Sequence, residues 1–467
     1  MLLKQNNKDT NLLNNNDYLC QFMRTNSYHI IRNMRKNIIH IMAFLMAAIT
    51  CSSCEWLDFI NCQPDNEARK VLLLYSAGFN SLSSYLISDI EDLKKGELPG
   101  NRCDDDILLV YSHQPSKHGT YNVSTPSHLT RIFRNKDGVT VCDTLVTYPE
   151  GTISSSALQL NNVLTYVRDT YPSGSYGMIF SSHATGYLPA GYYTSPDTYF
   201  FSGSTMARKA GIYPRIPAPV PYIEPEHDPS LPAVKSIGQD QTGVKGSYLS
   251  YEIELGDFAE AIPMHMDYIL FDACLMGGIE TAYELKDKCS MVGFSQTEVL
   301  AEGFNYPTLT KHLLMKERPD PKSVCDDYFQ QYALQSGVYQ SATISCIDCG
   351  KLDPLAETCR ELFNKYETEL KLIDPLTVQK YYRSNYHWFY DMRDIIKEAG
   401  ATEEELLEVD KALAACTIYK AHTRSFMGSF AINAFSGLSM YLPCNGSTEL
   451  DKYYRTLLWN QDTELVK

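Results

Sequence analysis

The feature that most limits the possible fold of this chain is a short apolar strand that ends at two reactive side chains. The run Tyr268–Phe271 predicts a buried strand, and Asp272 and Cys274 follow it directly. Two glycines then lead into Ile279–Lys288, where apolar residues recur at helical spacing. This order predicts that Cys274 lies at the edge of a sheet, near a helix N-terminus that would favour its thiolate form. A buried structural cysteine is the alternative, because the neighbouring carboxylate should raise the pKa of the thiol unless it serves a cationic ligand.

A second strand end has the same layout. The apolar run Tyr176–Phe180 is followed by Ser181, Ser182 and His183. If the two strands are neighbours in a parallel sheet, their C-terminal ends open on the same edge, where α/β proteins bind ligands. A cysteine and a histidine at that edge suit thiol nucleophilic catalysis. The alternative is a histidine with a purely structural role.

Composition and missing motifs narrow the functional classes. The 467 residues are 44% hydrophobic and 21% charged, as in a folded globular protein of one large or two ordinary domains. A formal net charge of −15 argues against a nucleic-acid partner and agrees with basic substrates. The chain has no H-E-x-x-H or G-x-S-x-G motif. Cys346 and Cys349 form its one C-x-x-C after the leader without further ligands nearby, so no metal site is predicted.

The N-terminal region predicts export. Residues 1–33 are polar and asparagine-rich, and we expect them to be a non-native or disordered extension. Residues 34–54 begin with basic side chains, continue through the apolar run Ile38–Ile49 and end in two cysteines. This run is too short to cross a bilayer, which is typical of a secretory signal peptide. Small serines before Cys54 predict it as a lipidation site, with Cys51 as the alternative.

Strands alternate with helices through most of the chain, which predicts a largely parallel sheet covered by helices. We predict an α/β catalytic domain at 65–345, with a proline-rich insertion at about 187–249. Residues 346–467 are predicted to be a mainly helical C-terminal region packed on the same domain. Thr402 and Glu405 have the spacing of a helix capping box.

Several motifs in this order resemble the clostripain family of cysteine peptidases, which share a caspase-like three-layer α/β/α sandwich. The resemblance extends over most of residues 70–445. The matching segments are, in chain order, Ser181–His183, Asp272–Gly277, Glu280 with Glu284 and Leu285, Phe294–Gln296, Gly303–Pro307 and Gly437–Pro443. The resemblance therefore implies an endopeptidase on a caspase-like fold.

The resemblance also implies residue roles. Cys274 would be the nucleophile, His183 the general acid and base, and Asp272 the acid that selects Arg or Lys at P1. The backbone N–H groups of Ala184 and Cys274 would hold the oxyanion. Relatives usually have glycine directly after the histidine, whereas this chain has Ala184, which lacks the conformational freedom of glycine.

Maturation, cofactors and partners follow from the same resemblance. Cleavage in the insertion is expected, with Arg208 and Lys209 as candidate processing residues. No cofactor is expected, although some relatives require calcium. We expect a monomeric lipoprotein of the bacterial cell envelope, anchored in the membrane by its lipid, that cleaves peptides with basic P1 residues. The alternatives are a catalytically silent lipoprotein that binds basic peptides and a thiol hydrolase of another kind, such as an amidase.

Overall fold

The compact unit Pro64–Lys467 contains every residue that the structure describes. The computed structural model describes residues 69–102, 104–115, 125–201, 219–221, 230–235, 240–244, 247–383 and 387–467. The predicted extension 1–33 and the predicted signal peptide 34–54, including Cys54, lie outside the described residues. Within the described ranges, no helix is both long and apolar enough to cross a bilayer.

A sheet of nine strands forms the centre of the described fold. Its strands are β1 Lys70–Ala77, β2 Ile107–His113, β3 Ser127–Arg134, β4 Thr140–Tyr148, β5 Ser175–Ser181, β9 Met266–Asp272, β10 Cys289–Phe294, β11 Thr343–Asp348 and β13 Thr417–His422. They lie in the order β13-β11-β10-β9-β5-β1-β2-β3-β4. The five inner strands from β10 to β2 are parallel, and the outer strands on both sides are antiparallel.

The remaining strands form three small sheets. They are β6 Val220–Pro221, β7 Asp240–Val244 and β8 Ser247–Tyr251 in one sheet, β12 Tyr390–Asp391 with β16 Ser439–Met440, and β14 Ser425–Phe426 with β15 Phe430–Ala431.

Helices flank the central sheet. They are α1 Ser83–Leu93, α2 Ala157–Thr170, α3 Leu255–Glu260, α4 Ile279–Glu284, α5 Tyr306–Leu313, α6 Pro321–Ala333, α7 Asp353–Lys365, α8 Glu367–Leu370, α9 Met392–Glu398, α10 Glu403–Cys416, α11 Thr448–Tyr454 and α12 Leu458–Thr463. The α/β sandwich predicted from the sequence is confirmed. The predicted helix from Ile279 to Lys288 is too long, because the chain turns after α4 to begin β10 at Cys289.

The two strands that carry the predicted site are neighbours. β5 and β9 pair in parallel, with Ser181 opposite Asp272 at their C-terminal ends. Both strands are almost entirely buried, as expected for strands covered on both faces. The prediction that both ends open on one edge is therefore confirmed.

The C-terminal region contributes more than helices. The predicted boundary at 345/346 falls inside β11, and β13 pairs with β11 to complete the sheet. Backbone pairing across the sheet thus joins the two predicted regions, so the mainly helical description of 346–467 is incomplete. The predicted capping box at Thr402 and Glu405 is present at the start of α10.

Candidate active site

Two loops bring the predicted cysteine and histidine to one edge of the sheet. His183 follows β5 by two residues, and Cys274 follows β9 by two residues. Leu275 adopts a positive φ of 62°, which turns the chain sharply after Cys274. Gly186 lies so close to this turn that an added Cβ would be 2.5 Å from the Leu275 carbonyl oxygen. The loop after His183 therefore packs directly on the loop that carries Cys274.

The Cys274 thiol is buried, and its hydrogen-bond contacts are with the backbone of Val299. The backbone N–H of Val299 donates to Sγ at 3.1 Å, and Sγ lies 3.7 Å from the Val299 carbonyl oxygen. Burial first, and then the charge of Glu298, raise the pKa of Cys274 well above its usual value. The expected thiolate at a helix N-terminus is therefore wrong for this conformation. Helix α4 begins only at Ile279, beyond the first-turn range of its dipole, and burial dominates.

His183 is also covered. Its side chain is 6% exposed, and Nε2 lies 3.1 Å from the hydroxyl of Ser81. Burial lowers the pKa of His183 to about 3, and the charge of Lys235 adds to this shift, whereas the interaction of the imidazole with the backbone of Lys235 opposes it. The imidazole is thus neutral in this conformation at physiological pH.

A lysine of the insertion lies in the predicted substrate pocket. The fully buried ammonium of Lys235 forms an ion pair with Asp272. It also lies 3.2 Å from Oδ2 of Asp89 and 3.2 Å from the Ser181 hydroxyl. Burial alone would lower the pKa of Lys235, but Asp272 and Asp89 outweigh it and raise the pKa above its usual value. The pocket therefore holds a charged lysine.

Asp272 is held from several sides. Its Oδ2 accepts hydrogen bonds from the Tyr306 hydroxyl at 2.6 Å and from the Ser181 hydroxyl at 3.1 Å. Gly303 closes the end of the pocket with a φ of +61°. A Cβ at Gly303 would lie 2.4 Å from Asp272 Oδ2 and 2.7 Å from the ammonium of Lys235, so the pocket requires glycine there.

The main chain around Lys235 pairs with the segment that covers the thiol. Val234 forms an antiparallel bridge with Leu300. The N–H of Lys235 donates to the Val299 carbonyl at 2.8 Å, and the N–H of Ala301 donates to Ala233 at 2.9 Å. An extended peptide that adds to a strand edge binds in the same manner. Residues 233–235 are thus seated as a peptide with its lysine side chain in the acidic pocket.

A polar network orients the segment that includes Val299. The side chain of Gln296 donates to the Ser345 hydroxyl at 2.7 Å and to the Gly437 carbonyl at 2.8 Å. Arg383 binds the nearly buried Glu298 through two hydrogen bonds of 2.5 and 2.8 Å. Two of the segments that carry the family resemblance, those of Gln296 and Gly437, therefore meet beside the site.

Sequence reasoning missed the two charged residues that meet Asp272 in the pocket, Lys235 and Asp89. Lys235 lies in the predicted insertion, and no local pattern distinguishes it. Asp89 could have been noticed, because it shares the buried face of α1 with Leu86 and Leu93 at helical spacing. An acid on such a face requires a buried partner.

The other predicted positions have different outcomes. Ala184 directly follows His183 and is partly buried, and its oxyanion role stays a prediction. The predicted processing residues Arg208 and Lys209 lie outside the described residues. Within the described ranges, no group of three His, Cys, Asp or Glu side chains could hold a metal ion.

Comparison with solved structures shows close architectural relatives. An inactive zymogen C11 protease from Parabacteroides distasonis has 26% identity and a TM-score of 0.66, over 86% of this chain and 99% of that chain. A secreted C11 cysteine protease from Bacteroides thetaiotaomicron, iotapain, has 21% identity and a TM-score of 0.63, over 85% and 99%. A structure of a secreted C11 protease from the same species, in complex with an irreversible peptide inhibitor, has 22% identity and a TM-score of 0.62, over 85% and 99%. The last two, at this identity, show the fold alone.

Comparison with protein families gives the assignment. No curated protein matches the chain significantly. The model of the clostripain family matches residues 74–201 and 225–465, which is more than half of the chain. The chain therefore belongs to the clostripain family of C11 cysteine proteases.

Proposed function

We propose that this protein is a cysteine endopeptidase that cleaves after basic residues. The observation that carries the proposal is the buried ion pair between Lys235 and Asp272, formed beside His183 and Cys274. A buried carboxylate is costly without a cation, so this pocket is suited to a basic P1 side chain. Membership of a cysteine protease family supports the chemistry.

In the proposed reaction His183 takes the proton of the Cys274 thiol, and the resulting thiolate attacks the carbonyl carbon of the basic P1 residue. A bond from Sγ to this carbon forms, and the backbone N–H groups of Cys274 and Ala184 stabilise the oxyanion. The carbon–nitrogen bond then breaks, and protonated His183 donates its proton to the leaving amine. Water, deprotonated by His183, hydrolyses the thioester and restores the thiol. The cysteine supplies the nucleophile, so we propose that no cofactor takes part.

The described conformation supports a closed precursor. Lys235 occupies the pocket that a substrate side chain would need, and both the thiol and the imidazole are buried and neutral. We propose that maturation cleaves the bond between Lys235 and Ser236, because Lys235 is seated as a P1 residue. Arg208 and Lys209 stay predicted processing residues for further cuts in the insertion.

A comparison of the wild type with the Cys274→Ala variant tests this proposal. The wild type should hydrolyse reporters with a basic P1 residue, release a fragment that begins at Ser236, and cut a peptide library after Lys or Arg. Cys274→Ala should do none of these, and intact mass and N-terminal sequencing would detect the cut. A folded wild-type protein that neither hydrolyses the reporters nor cuts itself would refute the proposal.

A catalytically silent binding protein is the second candidate. The raised pKa of the Cys274 thiol favours it, because a protonated thiol is a poor nucleophile. The pocket occupied by Lys235 also agrees with it, because binding of a cation does not require catalysis. Such a protein would bind basic peptides after removal of its insertion and never cleave them. Turnover of small amides but not peptides would instead indicate an amidase.

We also propose that the protein is exported to the bacterial cell envelope and anchored as a monomer through a lipid on Cys54. The signal-peptide pattern of residues 34–54 supports this, and two of the similar structures are of proteases described as secreted.

A further inference from the structure

A second carboxylate in the pocket comes from a distant part of the chain. Asp89 lies on α1, after the first strand, and its side chain is almost fully buried at 5% exposure. Its Oδ2 lies 3.2 Å from the ammonium of Lys235, on the same cation that Asp272 binds. Two acids from different elements therefore converge on one lysine side chain.

The pocket matches an ammonium group donor by donor. A lysine ammonium has three N–H donors and no acceptor. Here it has three oxygen partners, which are the carboxylates of Asp272 and Asp89 and the hydroxyl of Ser181. The ring of Tyr306 lies beside it, with its centroid 5.9 Å from the nitrogen. A charge that is fully buried here thus has a complete set of partners.

A guanidinium group fits this arrangement poorly. Arginine is planar and binds a carboxylate best through both oxygens at once. In this pocket Oδ2 of Asp272 accepts the bonds of Lys235, Tyr306 and Ser181, whereas Oδ1 has no hydrogen-bond partner among the described residues. The main chain at Gly303 closes the pocket on the side of Oδ1, since a Cβ added there would lie 2.6 Å from Oδ1 and 2.7 Å from the ammonium. A guanidinium that used both oxygens would have to extend towards this closed side.

We infer that Asp89 is a specificity-determining residue, which together with Asp272 makes the pocket select Lys over Arg at P1. This inference rests on the proposed endopeptidase function. Asp272 supplies attraction for any basic side chain, and Asp89 supplies the second acceptor at the place where an ammonium ends. Burial raises the pKa of Asp89 to about 7, and Lys235 opposes this rise, so a cation in the pocket favours the ionised form of this acid.

The kinetic test uses the mature enzyme and matched reporters with Lys or Arg at P1. The wild type should prefer Lys at least tenfold in kcat/KM. Asp89→Asn should lose at least tenfold for the Lys reporter, mainly through KM, and much less for the Arg reporter, whereas Asp272→Asn should lose both. Asp92→Asn is the matched control, because this acid lies on the same helix and pairs with Lys95 at the surface.

The outcomes separate this inference from the proposed function. Hydrolysis of neither reporter by the wild type would refute the endopeptidase. Hydrolysis of both without a preference for Lys, or an equal loss of both in Asp89→Asn, would leave the endopeptidase intact and overturn the role of Asp89.

A second measurement needs no turnover. In the Cys274→Ala chain, Lys235→Arg should lower the urea midpoint of unfolding, because the pocket must then hold a guanidinium. The same substitution should cost clearly less when Asp89→Asn is also present, since the pair is then already broken. An unchanged midpoint in Lys235→Arg, or equal losses with and without Asp89, would overturn the inference even if the mature enzyme were inactive.

Discussion

Replacement of Lys235 by methionine measures how strongly the chain is held in its closed form. The change nearly keeps the volume of the side chain but removes its terminal ammonium, which Asp272, Asp89 and Ser181 contact. The removal of one partner from a buried ion pair costs about 3–5 kcal/mol, because the other charge is left buried. We therefore expect a loss of about 4 kcal/mol in the free energy of unfolding at pH 8.

The loss should depend on pH in a defined direction. Asp89 has a raised pKa of about 7 against an ordinary value of 3.8, so its favourable contribution is present at low pH and is lost as the pH rises through 7. Without Lys235 its pKa rises further. For each unit by which the pKa of Asp89 is higher in the folded variant than in the folded wild type, the variant loses about 1.4 kcal/mol more of its free energy of unfolding at high pH. The variant should thus lose more at pH 8 than at pH 5.

The assay is urea unfolding of the Cys274→Ala chain, in which self-cleavage is blocked, followed by the fluorescence of the buried Trp388 and Trp459. Lys351→Met is the matched control, because Lys351 is 58% exposed and forms a surface ion pair with Asp348, where a loss below about 1 kcal/mol is expected. If Lys235→Met cost no more than this control at pH 8, Lys235 would not occupy the acidic pocket. A loss that did not change with pH would refute the role of Asp89 in this dependence.

Four further predictions test other parts of the site. Gly303→Ala should raise KM for Lys reporters at least tenfold and destabilise the fold by about 1–3 kcal/mol, since its φ is positive and its Cβ would meet Asp272; an unchanged KM would contradict the shape of the pocket. Ser81→Ala removes the hydrogen bond to His183 Nε2, worth about 1 kcal/mol, and should lower kcat several-fold and shift the pH–rate profile, whereas a merely structural role would leave that profile unmoved. Cys54→Ala should abolish palmitate labelling and membrane sedimentation, whereas Cys51→Ala should retain both; the reverse result would place the lipid on Cys51. Hydrolysis of the reporters should persist in EDTA. If EDTA abolished hydrolysis and added calcium restored it, this protein would share the calcium requirement of some relatives.

Much of the scaffold was predictable from local patterns. The apolar runs before Ser181 and Asp272 predicted two buried strands, and parallel pairing follows from the alternation of strands and helices. The capping box at Thr402 acts within one helical turn, so short-range spacing is enough to find it.

The sequence-based predictions were incomplete where segments that are distant in the chain pack or pair with each other. The prediction of a thiolate at Cys274 did not take into account the segment around Val299, which covers the sulfur and removes it from water. The predicted boundary at 345/346 falls inside β11, because this strand pairs with β13, which begins about 70 residues later in the chain. The local amino-acid composition of a strand shows little about which remote strand it pairs with.

The sequence by itself determined which strand ends carry the histidine, the cysteine and the acid, because burial and turn chemistry are properties of neighbouring residues. Only the tertiary structure decided that Lys235 and Asp89, remote from each other and from both strand ends, share a pocket with Asp272. The physical reason is that a buried carboxylate can be neutralised by any cation the folded chain brings to it, and that choice depends on the path of the whole chain.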